Sequence, residues 1–417
     1  MKIFKLMAIA LVAMVGLNSC SKDCDHDFIE HDFTQDIVGT WTYLEGEQAE
    51  AMVIKADGSF TTTGVMKGGS LYEEKGTIKV VNNKVSLTFE GDKEAVEGRL
   101  EFVAGKSLSI VMFDDNDVRL TYDYCENDLS DEILGMWVYF SNVADAQNDM
   151  MIQTFYDNGK NVVTGILPTG LDVEFALNGE SDYKVVGDLL FINIPAGGDK
   201  PFYHAEKLVY TPKTSLFGDI MNRTVYMPTE DGNAETASSW IRIKQHLELP
   251  GMKYDYIKTF VTNVKGEDKD IPFLNTSFNF AKMDGSIIDK FLKSILFTVE
   301  FPEANKIKYS YLLEGKNIVI DAPIEVDGNK MTIKMSANNP AYQDVDMYAF
   351  QDQDNTQMHW YMPTTSFEKF FGNTSVALML GYGQLDKDDT EGIANVYKTI
   401  ADAVESINLS LVMSQSK

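Results

Sequence analysis

The stretch Ile37-Val38-Gly39-Thr40-Trp41-Thr42-Tyr43 recurs further along the chain as Ile133-Leu134-Gly135-Met136-Trp137-Val138-Tyr139. Each copy follows a short acidic, polar link. A weaker third copy, Pro250-Gly251-Met252-Lys253-Tyr254-Asp255-Tyr256, keeps the Gly and loses the Trp. Such self-similarity indicates one structural unit used several times. The three starts predict units at 34–127, 131–246 and 249–417.

Within each unit, short strands of alternating polarity are separated by turn dipeptides. Asp57-Gly58 and Asn158-Gly159 stand between apolar segments, and Asn or Asp followed by Gly accepts the positive φ of a tight hairpin turn. Asn82-Asn83, Gly187-Asp188 and Gly328-Asn329 interrupt further strand pairs in the same way. Strands this short are typical of antiparallel sheets rather than βαβ units. We therefore predict an all-β, mainly antiparallel fold of tandem barrels or sandwiches.

The third unit also carries two helical patterns. One lies near the C-terminus, with Asp389 or Thr390 as its N-cap, and the other runs from Ser286 to Phe297. We expect the C-terminal helix to pack on the sheet of its unit, although a helix that binds a partner or a membrane surface has the same pattern. The second helix should close one side or mouth of the unit. The apolar positions of the C-terminal pattern are Ile393, Val396, Tyr397, Ile400, Val404, Ile407 and Leu411.

The Gly-x-Trp motifs at 39–41 and 135–137 resemble the motif that begins the first strand of lipocalin-like (calycin) barrels. In that family a basic residue near the last strand packs over the indole and seals the end of the barrel, because a guanidinium stacks well on an aromatic face. The resemblance covers about half of the chain and leaves a divergent barrel and a related sandwich open for the third unit. It implies four structural closure residues, Trp41, Arg119, Trp137 and Arg242.

The first twenty residues form a candidate export signal. A basic start precedes an apolar stretch, Leu6 to Leu17, that is too short to span a bilayer and is also compatible with an ordinary cleaved signal or a short buried helix. Leu17-Asn18-Ser19-Cys20 resembles the lipobox of lipoproteins of Gram-negative bacteria. That resemblance implies a signal peptide at 1–19, cleavage before Cys20 and acylation of Cys20. The acidic tether at 20–33 resembles a surface-export signal, so we expect a lipid-anchored outer-membrane protein at the cell surface.

Composition excludes several partners and kinds of chemistry. The 417 residues include 63 acidic and 36 basic ones, for a net charge of −27, so nucleic acid is a poor partner. Three cysteines exclude a disulfide scaffold, although Cys24 and Cys125 could pair or stay free. No Gly-x-Ser-x-Gly, His-Glu-x-x-His, P-loop or Rossmann glycine motif occurs. We therefore expect no enzyme activity, no cofactor and no bound metal.

Two acidic hairpin tips, Asp114 to Asp117 and Asp352 to Asn355, carry the hard oxygen ligands that calcium prefers. Neither tip has the central Gly and the final Glu of an EF-hand loop. Solvated turns are therefore the main interpretation, and weak calcium binding is the alternative.

Non-catalytic binding is the predicted function. Lipocalin-like barrels, which the chain resembles, bind small hydrophobic molecules at the barrel mouth, and the 20 Met, 24 Phe and 19 Tyr could line such a site for a small molecule or lipid. A barrel filled by its own side chains would instead favour a structural or interaction module, for example one docked to an outer-membrane transporter. Glycan stacking on exposed aromatic rings, in an accessory protein of an uptake system, is a further alternative. The candidate ligand contacts are Tyr203, Trp360, Tyr361 and Met362.

We predict that Cys20→Ser releases the protein into the soluble fraction of the cell. The substitution removes the sulfur that carries the lipid, and buried acyl chains contribute about 0.8 kcal/mol per methylene to membrane anchoring. Immunoblots of membrane and soluble fractions measure the distribution. Cys125→Ser removes a thiol outside the lipobox and should leave the distribution unchanged. Continued membrane retention of the Cys20 variant contradicts the lipoprotein prediction.

Overall fold

Short strands joined by tight turns form three large antiparallel sheets in the computed structural model. This confirms the predicted all-β, antiparallel fold with added helices near its end. The structure describes residues 32–45, 48–66, 68–113, 118–140, 150–166, 172–174, 180–193, 201–214, 217–229, 232–268, 270–273, 276–279, 285–313, 315–337 and 339–416.

The first sheet is a closed barrel of eight strands, in which neighbours in sequence pair with one another and β1 pairs with β8. All eight strands contribute buried apolar side chains to one core. Asn82 and Asn83 have φ of 48° and 64° and form the predicted tight turn between β4 and β5. The strands are β1 (Gly39–Glu45), β2 (Gln48–Ile54), β3 (Ser59–Met66), β4 (Ser70–Val81), β5 (Lys84–Phe89), β6 (Val96–Val103), β7 (Ser107–Met112) and β8 (Arg119–Cys125).

The second sheet has nine strands in the order β10-β9-β17-β16-β15-β14-β13-β11-β12. Pairing of β10 with β11 joins eight of these strands into a ring, with β12 attached to β11. The strands are β9 (Gly135–Phe140), β10 (Met150–Phe155), β11 (Lys160–Ile166), β12 (Asp172–Glu174), β13 (Ser181–Val186), β14 (Leu189–Asn193), β15 (Tyr203–Thr214), β16 (Gly218–Thr229) and β17 (Gly232–Ile243).

The third sheet is again a closed eight-stranded barrel, in the order β18-β21-β22-β23-β24-β25-β26-β27. A small hairpin, β19–β20, and a helix, α1 (Gly285–Ser294), lie between β18 and β21 in sequence. Of the two alternatives for this region, the barrel is therefore correct. The strands are β18 (Met252–Gly266), β19 (Asp270–Phe273), β20 (Thr276–Asn279), β21 (Thr298–Glu303), β22 (Lys306–Leu313), β23 (Lys316–Asp327), β24 (Lys330–Ile333), β25 (Val345–Gln351), β26 (Gln357–Met362) and β27 (Val404–Gln415).

The described residues contain three α-helices, all in the last third of the chain: α1 (Gly285–Ser294), α2 (Thr364–Gly381) and α3 (Thr390–Ala403). A short 3₁₀ turn also occurs at Met335–Ala337. The side chain of Asp389 caps α3 by accepting a hydrogen bond from the Gly392 amide at 2.8 Å, as predicted.

The predicted C-terminal helix is too long, because the chain changes to strand β27 at Val404. Ile407 and Leu411 had been placed on the helix, but both lie on β27 with their side chains in the barrel core. A spacing of four residues fits one face of a helix and also one face of a strand. Leu409, between them, is buried in the same core and follows the strand period.

Helix α2 was not predicted. It contains Gly372, Asn373 and Thr374, which favour helix poorly, and its buried residues include polar as well as apolar ones, so that no simple apolar stripe marks it. Gly372 has a packing role, because a Cβ atom there would lie 2.4 Å from the ring of Tyr397 on α3. Tertiary packing therefore stabilises this helix against its weak local preference.

Internal contacts divide the chain into two compact units, and the three units predicted from sequence stay a prediction. In the first compact unit, Ala49, Ala51 and Val65 pack with Leu189 and Phe191. In the second, Val138, Met150 and Ile241 pack with Phe350 and Tyr361. The first comprises Met1–Ile133, Ser181–Val209 and Arg223–Ala237, and the second comprises Leu134–Glu180, Tyr210–Asn222 and Ser238–Lys417.

The indole of Trp137 lies beneath a guanidinium, as the resemblance implied. Arg242 is paired directly with Trp137 across β17 and β9. The Cζ atom of Arg242 lies 4.8 Å from the centroid of the Trp137 ring and 5.5 Å from that of Tyr210. Asp219 lies 3.6 Å from the same guanidinium. The buried indole and the cation therefore stack where the last strand meets the first.

The corresponding prediction for Trp41 and Arg119 is wrong. The residue paired with Trp41 across β1 and β8 is Tyr124, whose ring lies 5.1 Å from the indole at an interplanar angle of 67°. Arg119 lies five residues earlier on β8, and an odd number of residues turns a side chain to the opposite face of a strand. Its guanidinium is half exposed and lies 2.5 Å from Glu101. A tyrosine therefore takes the place of the arginine in the first barrel.

The backbone conformation and the surroundings of Gly39 explain why the motif around Trp41 begins with glycine. Its φ is +148°, and a Cβ atom at this position would lie 2.9 Å from the ring of Tyr124. The indole nitrogen of Trp41 donates to the carbonyl of Ile37 at 2.9 Å, so the buried ring has its polar atom satisfied. The glycine thus lets the tyrosine ring approach the start of the strand.

We predict that Trp41→Ala lowers the free energy of unfolding by about 3–5 kcal/mol, because the indole is 1% exposed and its removal leaves a cavity. Arg119→Ala should cost less than about 1 kcal/mol, since it removes a half-exposed ion pair and one long hydrogen bond to Ser109. Urea unfolding followed by circular dichroism measures both values. Equal losses in the two variants would contradict the assignment of Tyr124, rather than Arg119, as the closing partner.

Candidate functional site

An apolar cavity of about 50 Å³ lies in the third barrel, against helices α1 and α2. On α1 and the residue that follows it, Ile288, Phe291, Leu292 and Ile295 recur at the i, i+3, i+4 and i+7 spacing that places side chains on one face of a helix. The residues that line the cavity are Ile288, Phe291, Leu292, Ile295, Phe297, Tyr309, Tyr311, Phe367, Phe370, Phe371, Thr374, Leu409 and Leu411.

The hydroxyl of Tyr311 is the exceptional polar group of this lining. It is buried and has no hydrogen-bond partner among the described residues. The neighbouring Tyr309 hydroxyl, by contrast, donates to the sulfur of Met335 at 3.4 Å. Burial raises the pKa of Tyr311, so its hydroxyl keeps its proton and remains a donor. An unsatisfied buried donor costs about 1–3 kcal/mol, which a bound hydrogen-bond acceptor would recover.

Helix α1 is attached to the barrel by polar contacts of one carboxylate. Asp289 accepts a hydrogen bond from the Tyr256 hydroxyl at 2.7 Å and another from the Thr259 amide at 3.2 Å, both on β18. Lys293 lies 2.8 Å from the second oxygen of Asp289. Burial opposes ionisation of Asp289, but the Lys293 charge and the hydrogen bonds outweigh it and lower the pKa.

The chain just after α1 forms an apolar rim. The side chain of Leu296 is 64% exposed and that of Leu312 is 40% exposed. The Leu312 amide donates to the carbonyl of Ile295 at 2.6 Å, which holds the end of β22 beside the end of the helix. Exposed apolar side chains therefore lie next to a residue that lines the cavity.

The aromatic residues proposed from the sequence as glycan contacts are not exposed. Trp360 and Met362 lie in the core of the third barrel, where the Trp360 ring is 6.3 Å from Phe297. Tyr361 is buried on the other face of β26, and its ring is 5.7 Å from Phe140. Tyr203 is half-buried and packs beside Phe191. The prediction of surface stacking is therefore wrong for Trp360, Tyr361 and Met362, because alternate faces of β26 are both covered.

A buried ionic group involves one of the histidines. Glu206 accepts hydrogen bonds from Arg223, with the closest nitrogen at 2.5 Å, and its other oxygen lies 2.7 Å from Nε2 of His204. Burial opposes ionisation of Glu206, but Arg223 and His204 outweigh it and lower the pKa to about 2. A carboxylate held in this way between a cation and a histidine is a structural pair, and it presents no nucleophile.

The first barrel contains a buried carboxyl group that is surrounded by neutral hydrogen-bond donors. Glu50 accepts hydrogen bonds from the hydroxyls of Tyr72 and Tyr122 and from the Gln48 amide. Burial raises the pKa of Glu50 in spite of these donors. Gly64 leaves room for the cluster, because a Cβ atom there would lie 2.4 Å from the Tyr72 hydroxyl oxygen.

His359 is buried between two aromatic rings. Its ring lies 6.4 Å from Phe140 and 5.7 Å from Phe217, nearly parallel to both. Burial lowers the pKa of His359 to about 4, so the ring is neutral at pH 7. His246, on the loop before β18, is exposed. Neither residue belongs to a catalytic arrangement.

The remaining sequence candidates have simple environments or fall outside the described part. Asp352 accepts hydrogen bonds from the Thr356 hydroxyl and the Gln357 amide of its own turn, and within the described ranges no three His, Cys, Asp or Glu residues are grouped to hold a metal. Cys125 is a free, buried thiol that donates to the Asn127 carbonyl at 3.0 Å. Cys20, Cys24, most of the tether and the tip at Asp114 to Asp117 lie outside the described residues.

No family model matches the chain, and no curated protein matches it. A solved structure, the crystal structure of the isotype 1 transferrin binding protein B from serogroup B Neisseria meningitidis, is similar over 75% of this chain and 61% of that chain, with 8% sequence identity and a TM-score of 0.18. This chain thus spans less than two thirds of the length of that protein. Among the described helices, none has the length and apolar character needed to cross a bilayer.

We predict that His359→Phe makes the protein less sensitive to acid. Because the folded-state pKa of about 4 lies below the usual 6.5, the unfolded chain binds the proton first, and the free energy of unfolding falls as the pH drops from about 6.5 to about 4. This loss should amount to roughly 1–3 kcal/mol and should be smaller in the variant, whose ring fits between Phe140 and Phe217. Urea unfolding at pH 7 and pH 4.5 measures it. The same decrease in both proteins would contradict a neutral, buried His359.

Proposed function

We propose that the protein is a non-catalytic binding protein and that its third barrel takes a small hydrophobic molecule carrying one hydrogen-bond acceptor. The observation that carries this proposal is the buried Tyr311 hydroxyl, which has no partner among the described residues, in the lining of an otherwise apolar cavity. An apolar wall gives affinity by area, and a single polar group gives orientation. This arrangement favours a ligand with one oxygen over a pure hydrocarbon.

The size of the cavity limits the ligand. A volume of about 50 Å³ holds only a few atoms, since one water-sized probe occupies about 10–15 Å³. A complete lipid therefore does not fit inside, whereas a short chain or one end of a longer chain does so once the wall adjusts. We propose a small molecule such as a medium-chain alcohol or acid.

Helix α1 is the part of the wall best suited to adjust. It is short, its apolar face forms one side of the cavity, and its polar face is attached through Asp289 to Tyr256 and Thr259. The exposed Leu296 and Leu312 beside its end would offer an apolar molecule its first contact. We propose entry at this side of the barrel.

The lipobox-like sequence at Leu17 to Cys20 supports a location for the protein in the cell. Acylation of Cys20 would anchor the chain to the outer membrane, and the acidic residues that follow favour the cell surface. The lipocalin-like family assignment remains part of the proposal. It is supported by closed antiparallel barrels and by the stacking of Arg242 on Trp137.

The experiment compares 1-octanol with octane as probes of the full mature chain. Tyr311→Phe should weaken octanol binding about two- to tenfold, the value of one hydrogen bond, and leave octane binding unchanged. Its unliganded stability should equal or exceed that of the wild type, because an unsatisfied donor is removed. Chemical-shift titration in ¹H–¹³C methyl spectra measures the affinities, and thermal unfolding measures the stability.

Two controls accompany this test. Thr374→Leu places a larger apolar side chain at the cavity and should weaken both probes. Tyr254→Phe removes a buried hydroxyl whose partners are Gln351 and Asn355, away from the cavity, and should weaken neither. Failure of the wild-type protein to bind either probe, or equal weakening of both probes by Tyr311→Phe, would overturn the proposal.

A further inference from the structure

A second cavity, of about 510 Å³, lies in the second compact unit and is polar. The end of β15 contributes Lys213, the start of β16 contributes Asp219 and β17 contributes Arg242. The β25–β26 turn contributes Asp352 and Asp354. Binding sites for small molecules usually have volumes of about 300–1,000 Å³. This polar cleft therefore has the size of a ligand site, which the apolar cavity reaches only after rearrangement.

One wall of the polar cleft is held rigidly. Arg242 stacks on Trp137 and Tyr210 and lies 3.6 Å from Asp219. Asp219 in turn accepts hydrogen bonds from the Tyr210 hydroxyl at 2.8 Å and from the Lys213 amide at 2.9 Å. A guanidinium fixed by two rings and a carboxylate loses little entropy when it donates to a ligand.

Another part of the lining is a turn that is fixed by hydrogen bonds. Asp352 accepts from the Gln357 amide at 3.0 Å, and the Gln353 side chain donates to the Ile243 carbonyl at 2.8 Å. Asn355 reaches the carboxylate of Glu248 at 2.8 Å. These contacts hold the turn in place, while Asp354 itself is exposed on the cleft.

The chemistry of the lining decides among classes of ligand. Three carboxylates face two cations, so an anion such as phosphate meets net repulsion. A divalent metal is not favoured either, because the described residues contain no group of three metal-ligating side chains and the Asp352 carboxylate is engaged by its own turn. An apolar molecule would leave charged groups unsolvated. A neutral polyhydroxyl molecule can donate to the carboxylates and accept from the Lys and Arg donors.

We propose that the polar cleft binds a neutral saccharide. This site is independent of the proposed apolar ligand. It places a sugar against two fixed parts of the polar lining rather than on exposed aromatic rings. Asp354 and Lys213 are the groups best placed to contact the ligand without a structural role, since both side chains are exposed at the cleft.

The experiment titrates the mature chain with glucose, galactose, mannose, maltose and cellobiose by isothermal calorimetry. At least one sugar should bind, and both Asp354→Ala and Lys213→Ala should weaken it fivefold or more. Asp327→Ala, at the exposed β23–β24 turn, is the matched control and should change nothing. Tyr311→Phe should also leave sugar binding unchanged, so failure of one proposal does not imply failure of the other.

Several results would overturn the inference. The first is that none of the sugars binds with a Kd below about 10 mM. The second is that Asp327→Ala weakens sugar binding as much as Asp354→Ala does. The third is that inorganic phosphate, calcium or glycine binds more tightly than the sugars in parallel titrations. Circular dichroism of each variant establishes that a loss of binding is not a loss of folding.

Discussion

Pairing of the first strand of a sheet with its last strand is the constraint on which the rest of this molecule depends. In the first and third sheets, β1 meets β8 and β18 meets β27, so these barrels have no free edge that could recruit another chain. Closure also separates the two faces of every strand. One face must fill the interior, and the other is available for packing or solvent.

The residues at these seams show how different chemistry meets the same requirement. Trp41 lies against the ring of Tyr124, and Trp137 lies against the guanidinium of Arg242. In both cases the indole is covered by the residue that is paired with the tryptophan on the last strand. The register of the two strands therefore decides which position closes the barrel, and that position can hold either a tyrosine or an arginine.

This point explains how far the sequence could predict the structure. Turn dipeptides and short alternating strands were sufficient to predict an antiparallel fold of barrels or sandwiches, because they depend on local geometry, and the choice of closed barrels came from the structure. Arg119 was assigned as a partner by its residue type and its approximate place, and only the register excludes it. Ile407 and Leu411 fitted a helix for a similar reason, since their spacing suits both periods.

The candidate sites were harder to predict, because they depend on contacts between distant segments. The apolar face of α1 could be recognised from its spacing, but α2 and the Tyr311 hydroxyl gain their significance only from packing. Trp360 and Tyr361 were selected for their aromatic character, and covering of both faces of β26 removes them from the surface. The aromatic residues of β26 therefore belong to the core and do not form a ligand site.

The two cavities lie at opposite ends of β26. Gln357, at its start, lines the polar cleft, and Met362, at its end, leads through Pro363 into α2 on the apolar cavity. On the paired strand β27, Leu411 lines the apolar cavity and Ser414 lines the polar cleft. These two residues are about 10 Å apart along the strand, which is near the limit of the distance at which substitutions usually influence each other. Closure makes the strands between the two cavities a packed wall, and the two linings have no residue in common. The same two strands of the third barrel can therefore contribute to an apolar cavity and to a polar cleft with separate linings.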